Sequence, residues 1–249
     1  MVWLVAVLIG FAIGAVMGCL GGGGAVLAVP VLVYLLGQEP AVAATGSLLI
    51  VTGTAVSGVA SHYRHVNWRV GLSFAGIGIA GSIVGSLLSP RVSPTVMMVS
   101  FAALLLVVAA LMMVRPSQDD SPAEMTTSPP PLRVGLAAVA VGLLTGFFGV
   151  GGGFAIVPAL TLLLGMPMAA AIATSILVIG SNALVGLAVR AADQGLNVDW
   201  PVIGLFTAFA LIGSFFGAKL SHRLPASALQ RGFALLLVIL ALVILLVRY

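Results

Sequence analysis

Charge is what this sequence lacks. Only 6% of its 249 residues are charged, and none of its six Asp and Glu falls inside an apolar stretch: Glu39, Asp193 and Asp199 sit at the edges and the other three in one polar segment. Soluble domains carry about 25% charged residues, so a chain that is 61% hydrophobic, with a mean hydropathy of +1.26, reads as an integral membrane protein with almost no soluble part. Carboxylates within a bilayer are the usual mark of proton relays and cation sites. Their absence argues against a cation pump and against an enzyme doing acid–base chemistry in the membrane, and no nucleophile–base pair lies in the apolar segments. A single cysteine, Cys19, excludes an internal disulfide and a multi-cysteine metal site. The three histidines, two of them in one loop, form no metal constellation, and nothing calls for a cofactor. The ten Lys and Arg are dispersed among loops, which is no nucleic-acid surface; the lipid bilayer is sufficient reason for them.

What is present is long apolar runs of helical length, pointing to a helical bundle and away from an outer-membrane barrel. Five fall in each half, at roughly 3–20, 25–37, 41–60, 70–89 and 94–114, then 134–148, 153–165, 168–189, 200–219 and 227–247. The first lacks the positive start of a signal peptide and has a repeat partner at 131–148, so it is expected to be a retained membrane segment. Between the halves, Arg115–Arg133 holds five prolines and three acidic residues and reads as a polar connecting loop. The expected organisation is a first transmembrane repeat over 1–114, a polar Pro-rich linker over 115–133 and a second repeat over 134–249.

A glycine-rich signature, written twice, carries the duplication. Residues 18–37 and 146–165 share ten identities in twenty positions at a constant offset of 128. Further on, Ser47 aligns with Ser175, Thr54 with Asn182 and Gly58 with Gly186; after four extra residues, Gly81-Ser82 aligns with Gly213-Ser214. Glycine costs roughly 1 kcal/mol per residue against alanine in a helix, so these runs predict paired breaks. The segments after them reach only about 20 Å as helices, short of a hydrocarbon core near 30 Å, and Pro30 and Pro158 disturb them further. Short broken or re-entrant helices follow. With three spans plus one re-entrant pair per half, the repeats are inverted, and the basic residues divide seven to three between the two sides, as the positive-inside rule asks.

The chemistry left at depth is backbone amides, hydroxyls and one Asn, an inventory suited to an anion. Helix N-termini carry unpaired N–H groups and partial positive charge, and glycines let a ligand approach them. The candidate binding residues are therefore Gly21, Gly22, Gly23 and Gly24 with Ser47 and Thr54 in the first half, and Gly149, Gly151, Gly152 and Gly153 with Thr174, Ser175 and Asn182 in the second. The competing reading is that the glycines serve close helix packing and the hydroxyls bond their own helices. His62, Arg64 and His65, with Arg190 aligned to His62, are candidates for a basic mouth that gathers anions or senses pH; the simpler alternative is a positive-inside anchor.

At the two glycine signatures, and at the Ala-rich stretch ending in Thr174-Ser175, the chain resembles the sulfite exporter TauE/SafE family of membrane permeases. The first copy departs from it, with Thr45-Gly46-Ser47 where the second has a Thr-Ser pair. The resemblance implies a multi-pass protein of the inner membrane that moves sulfite, sulfoacetate or a related small inorganic or organosulfur anion, commonly outward. The mechanism expected from the repeats is alternating access, the two halves rocking around a central site at the paired helix starts. A homodimer is compatible with this. A passive anion channel and a non-transporting membrane scaffold or assembly factor are the alternatives.

Overall fold

A computed structural model of the chain describes residues 2–21, 25–88, 93–114, 130–148, 153–194 and 198–246. Its elements are α1 (Val2–Leu20), α2 (Ala25–Tyr34), α3 (Pro40–His62), α4 (Trp68–Leu88), α5 (Pro94–Val114), α6 (Pro131–Phe148), α7 (Gly153–Pro158, continued by a π-helical turn over Ala159–Leu163), α8 (Met168–Gln194), α9 (Trp200–Ser221) and α10 (Ala226–Leu246). No strand occurs among the described residues. Seven helices (α3–α6 and α8–α10) are long and apolar enough to cross a membrane. Large apolar side chains such as Leu87, Val107 and Leu246 stand exposed on the outside, where lipid is their solvent. The chain is an all-α multi-pass membrane protein.

The ten expected segments correspond to the ten helices, with two differences. α8 runs on to Gln194 instead of ending near 189, because Arg190-Ala-Ala extends a good helix past the end of the apolar stretch. α6 begins at Pro131, inside the expected linker, because a first-turn proline gives up an N–H that had no helical partner anyway. Residues 115–129 lie outside the described ones.

The two short segments end alike. Leu36 N–H donates to Val31 O (3.2 Å) and Gln38 N–H to Leu32 O (2.9 Å); Leu164 N–H donates to Ala159 O (3.2 Å) and Met166 N–H to Leu160 O (3.0 Å). In each a glycine, Gly37 or Gly165, turns the chain at φ 65°. Pro158 cannot donate to the helical ladder, and the backbone widens into the π turn directly after it. Thr161 Oγ1 donates to Val157 O at 3.0 Å, supplementing the loosened ladder.

Backbone contacts fix how the helices run. A Cβ added at Gly14 or Gly18 on α1 would overlap the Ala210 or Ser214 carbonyl of α9, and one at Gly217 the Ala15 carbonyl. α4 and α6 meet in the same way, Gly142 on Gly78 and Gly146 on Ser82. In both seams the partners advance together, so each pair is parallel. α3 and α8 are antiparallel: Gly58 faces Ile176, Gly180 faces Ala55 and Gly186 faces Leu48. α3 runs with α9, since Gly46 faces Ile203 and Gly53 faces Thr207. α1 and α3 therefore point the same way, and α2 must bring the chain back between them. These directions gather Arg64, Arg69, Arg133, Lys219, Arg223 and Arg231 at one end of the bundle. Arg190 is the described basic residue at the other, together with Glu39 and Asp199.

A paired substitution tests the seams. Gly18→Ala should force α1 from α9 and cost at least about 1–3 kcal/mol. Gly204→Ala on the same α9, where a Cβ meets nothing within 4 Å, should be neutral or slightly stabilising. Thermal unfolding in detergent reads both.

Candidate functional site

The first glycine turn is the best-defined part of the site. α1 ends at Leu20 and Gly21 follows at φ 77°, a left-handed conformation that L side chains enter at a cost of roughly 1–2 kcal/mol. Space requires glycine here as well, because a Cβ would stand 2.6 Å from Ser175 Oγ and 3.3 Å from Val157 Cγ2. The turn is thus pressed against α7 and α8 of the other half. Gly22, Gly23 and Gly24, and on the second turn Gly149, Gly151 and Gly152, lie outside the described residues. Gly153 is buried at the start of α7.

Gly21 opens on a small cavity of ≈ 10 Å³, about the room one water needs. Its walls include Thr54 on α3, Ser214 on α9, Met17 on α1, and Ile176 and Ile179 on α8. Two hydroxyls and the backbone of a turn thus converge in an apolar wall without a charged side chain lining it. Thr54 is 1% exposed, donates to Ile50 O at 2.7 Å, and has Met17 Sδ 3.7 Å away. Ser214 is held only weakly, its Oγ 3.5 Å from Thr54 O. Its hydroxyl is therefore the freer donor of the two.

The candidate hydroxyls Ser47 and Ser175 are committed in the same way as Thr54. Ser47 donates to Ala44 O (2.8 Å) and Ser175 to Ile172 O (2.8 Å), each within its own helix. Thr174 Oγ1 accepts from the Asn67 backbone N–H at 3.1 Å and so tethers the turn before α4. Ser47 and Ser175, like Thr54, thus take the competing structural role within their own helices, and Thr174 takes one between segments. Asn182 differs: among the described residues its Oδ1 is buried without a partner, and so is Oγ1 of Thr52. Leaving such a group unpaired costs about 1–3 kcal/mol.

The four basic candidates separate. Arg64 and His65 are exposed. His62 is buried, 2% exposed, with Nδ1 at 3.0 Å from Gly58 O and Nε2 at 3.0 Å from Ser221 Oγ. Arg190 lies at the opposite end of the bundle, its guanidinium 3.4 Å from Thr45 Oγ1. Sequence reasoning used Ser214 only as a repeat marker and did not name Ser221 or His222. The repeated Gly-Ser pair was the available signal for Ser214. The contacts of His62 with residues 159 or more positions away had none.

A polytopic helical bundle with two short helices and a small cavity carrying two hydroxyls is an architecture suited to a membrane transporter, and the comparisons with known proteins agree. The sulfite exporter TauE/SafE family matches residues 6–244, and the chain belongs to that family. Among its relatives is a probable membrane transporter protein of Xylella fastidiosa (strain 9a5c), 32% identical over 92% of this chain and 90% of the relative. The probable membrane transporter protein YunE of Bacillus subtilis (strain 168) is 30% identical over 88% of this chain and 87% of its own. One from Haemophilus influenzae is 28% identical over 96% of both. No solved structure matches the chain significantly. The family is one of transporters, not an enzyme class.

The turn can be probed against a control of equal backbone strain. Gly37 also has a positive φ, but a Cβ there meets nothing within 4 Å, so Gly37→Ala should cost only the roughly 1–2 kcal/mol of left-handed strain. Gly21→Ala should cost more, and Ser175→Ala should recover part of the excess in the double variant. A thermal-unfolding cycle measures this coupling.

Proposed function

We propose that the protein is a secondary transporter, an exporter of sulfite or a related small sulfur-containing anion across the cytoplasmic membrane, working by alternating access. The observation that carries this reading is the cavity at Gly21, where the weakly held Ser214 hydroxyl and Thr54 meet a left-handed turn and, among the described residues, no charged side chain lines the wall. A neutral donor set binds an oxyanion without the penalty of burying a fixed cation, and releases it more readily than an ion pair would. The cavity is too small for a polyatomic anion, so loading requires the walls to part.

The helix directions support inverted repeats. α3 and α8, which correspond in the sequence alignment, cross antiparallel, and the α1–α9 seam has its counterpart in α6–α4. Walls drawn from both halves are what a rocking mechanism needs. The end bearing Arg64, Arg69, Arg133, Lys219, Arg223 and Arg231 is then cytoplasmic by the positive-inside rule. The family's own description supplies sulfite as the first substrate to try.

Purified protein in liposomes should show saturable sulfite flux, competed by thiosulfate or sulfoacetate more than by chloride. Thr54→Val, which keeps the shape and removes a donor, should weaken transport about tenfold, in line with the roughly 1.5–3 kcal/mol of a hydrogen bond to a charged group. Large non-saturating flux would instead indicate a channel, and no flux of any anion from inserted protein would leave a scaffold.

A further inference from the structure

The three histidines of this chain, distant in sequence, come together at one place. His62 ends α3, His65 follows in the next loop, and His222 caps the C-terminus of α9. The His62 and His222 ring centroids are 4.8 Å apart and those of His65 and His222 are 5.5 Å apart. His62 is the buried member, and it joins the two halves of the protein, since Nε2 meets Ser221 of α9. With no carboxylate in the apolar segments, it is the buried imidazole in a membrane domain otherwise poor in titratable groups.

Proton bookkeeping makes this contact two-state. Ser221 Oγ lies 2.8 Å from Ala218 O and 3.0 Å from His62 Nε2, while His62 Nδ1 lies 3.0 Å from Gly58 O, which can only accept. A neutral ring with its proton on Nδ1 presents a bare Nε2, so Ser221 must turn its single proton to the ring and release Ala218. A protonated ring donates at both nitrogens, and Ser221 returns its proton to Ala218. The charge would appear at the basic end of the bundle. His222 from α9 and His65 from the loop face it. Arg64 lies over the Tyr63 ring, Lys219 over Phe215, and Arg69 and Arg223 are exposed at the same end. Ile176 of α8 faces α3 at Gly58, and α1 brings the half-buried thiol of Cys19 to this end. No Asp or Glu is present there among the described residues.

We infer that His62 is a proton-binding site that couples proton uptake to anion binding, the anion supplying the counter-charge that the cluster lacks. This rests on the anion-transport reading above and adds its coupling ion. Thr54 lies two turns along α3 from His62, about 12 Å, and Gly58, whose carbonyl holds the ring, lies midway. Gly58 is also next to Ser214, whose Oγ is 3.8 Å from the position of a Gly58 Cβ. An anion in the cavity favours the protonated ring, and by reciprocity the protonated ring favours the anion.

The test is transport by the full chain in liposomes from about pH 5 to 8, the range in which histidine titrates. Thiosulfate serves as the probe because it stays fully ionised there, so protons carried by the substrate cannot imitate coupling. In the wild type, apparent affinity should fall as pH rises, by up to tenfold per unit for one linked proton. His62→Gln, which can still reach Ser221, should flatten the profile. Ser221→Ala keeps the imidazole and removes its partner, so it should move the midpoint without abolishing the dependence; this variant decides the matter if His62→Gln does not insert. Flux with an unchanged pH profile in the variants would overturn the proton site alone. No flux of thiosulfate or sulfite in the wild type would overturn the anion-transport reading itself.

Discussion

Close backbone contact between the two halves is the constraint on which the rest of this structure depends. In lipid there is no hydrophobic force to press helices together, so association rests on packing, and packing improves as backbones approach. The approach here is about as close as polypeptide allows: Gly14 and Gly18 of α1 lie against carbonyls of α9, and Gly142 and Gly146 of α6 against carbonyls of α4. Each seam joins the first helix of one half to the fourth helix of the other, so neither half packs by itself. The mixed walls of the cavity follow from this interlock, with Met17 from the first half facing Ser214 from the second.

The fold was legible where the bilayer imposes a rule. Apolar length marked the spans, and the first glycine run marked the end of α1, where Gly21 takes a φ that other residues avoid. Register was not legible. The same small residues that let helices meet do not say which helices meet, and the pairing of Gly18 with Ser214 or of Gly58 with Ile176 is decided by three-dimensional closure. The candidate site was half legible for a related reason. Sequence identifies Ser47, Thr174 and Ser175 as polar groups in apolar surroundings, but not whether each hydroxyl is already committed. Ser47 and Ser175 donate to their own helices, and Thr174 receives a backbone N–H from Asn67. His62 showed the opposite error: in sequence it belongs to a polar loop, while in the fold it is among the buried side chains.

Commitment of hydroxyls to their own carbonyls is itself informative. Thr145, Thr161, Ser181 and Thr207 all bond back within their helices, as polar residues in a membrane must when no other partner is at hand. Against that pattern, a weakly held Ser214 and an unpaired Asn182 Oδ1 stand out as groups whose partner is not supplied by their own helix.

The two buried oxygens without partners lie on the same pair of helices. The register that sets Gly58 against Ile176 and Gly186 against Leu48 places Thr52 of α3 opposite Asn182 of α8, close to the middle of their antiparallel crossing. Elsewhere small residues let these two helices touch tightly, Gly180 on Ala55 being the closest such contact. Among the described residues neither oxygen has a partner at this crossing, so each is open to a donor brought there by a side chain, water or cargo. In the proposed mechanism α3 and α8 are corresponding helices of the two repeats, and their crossing is where one half would turn on the other. Thr52 and Asn182 would then lie at that turning point, as groups that can take a partner in either arrangement.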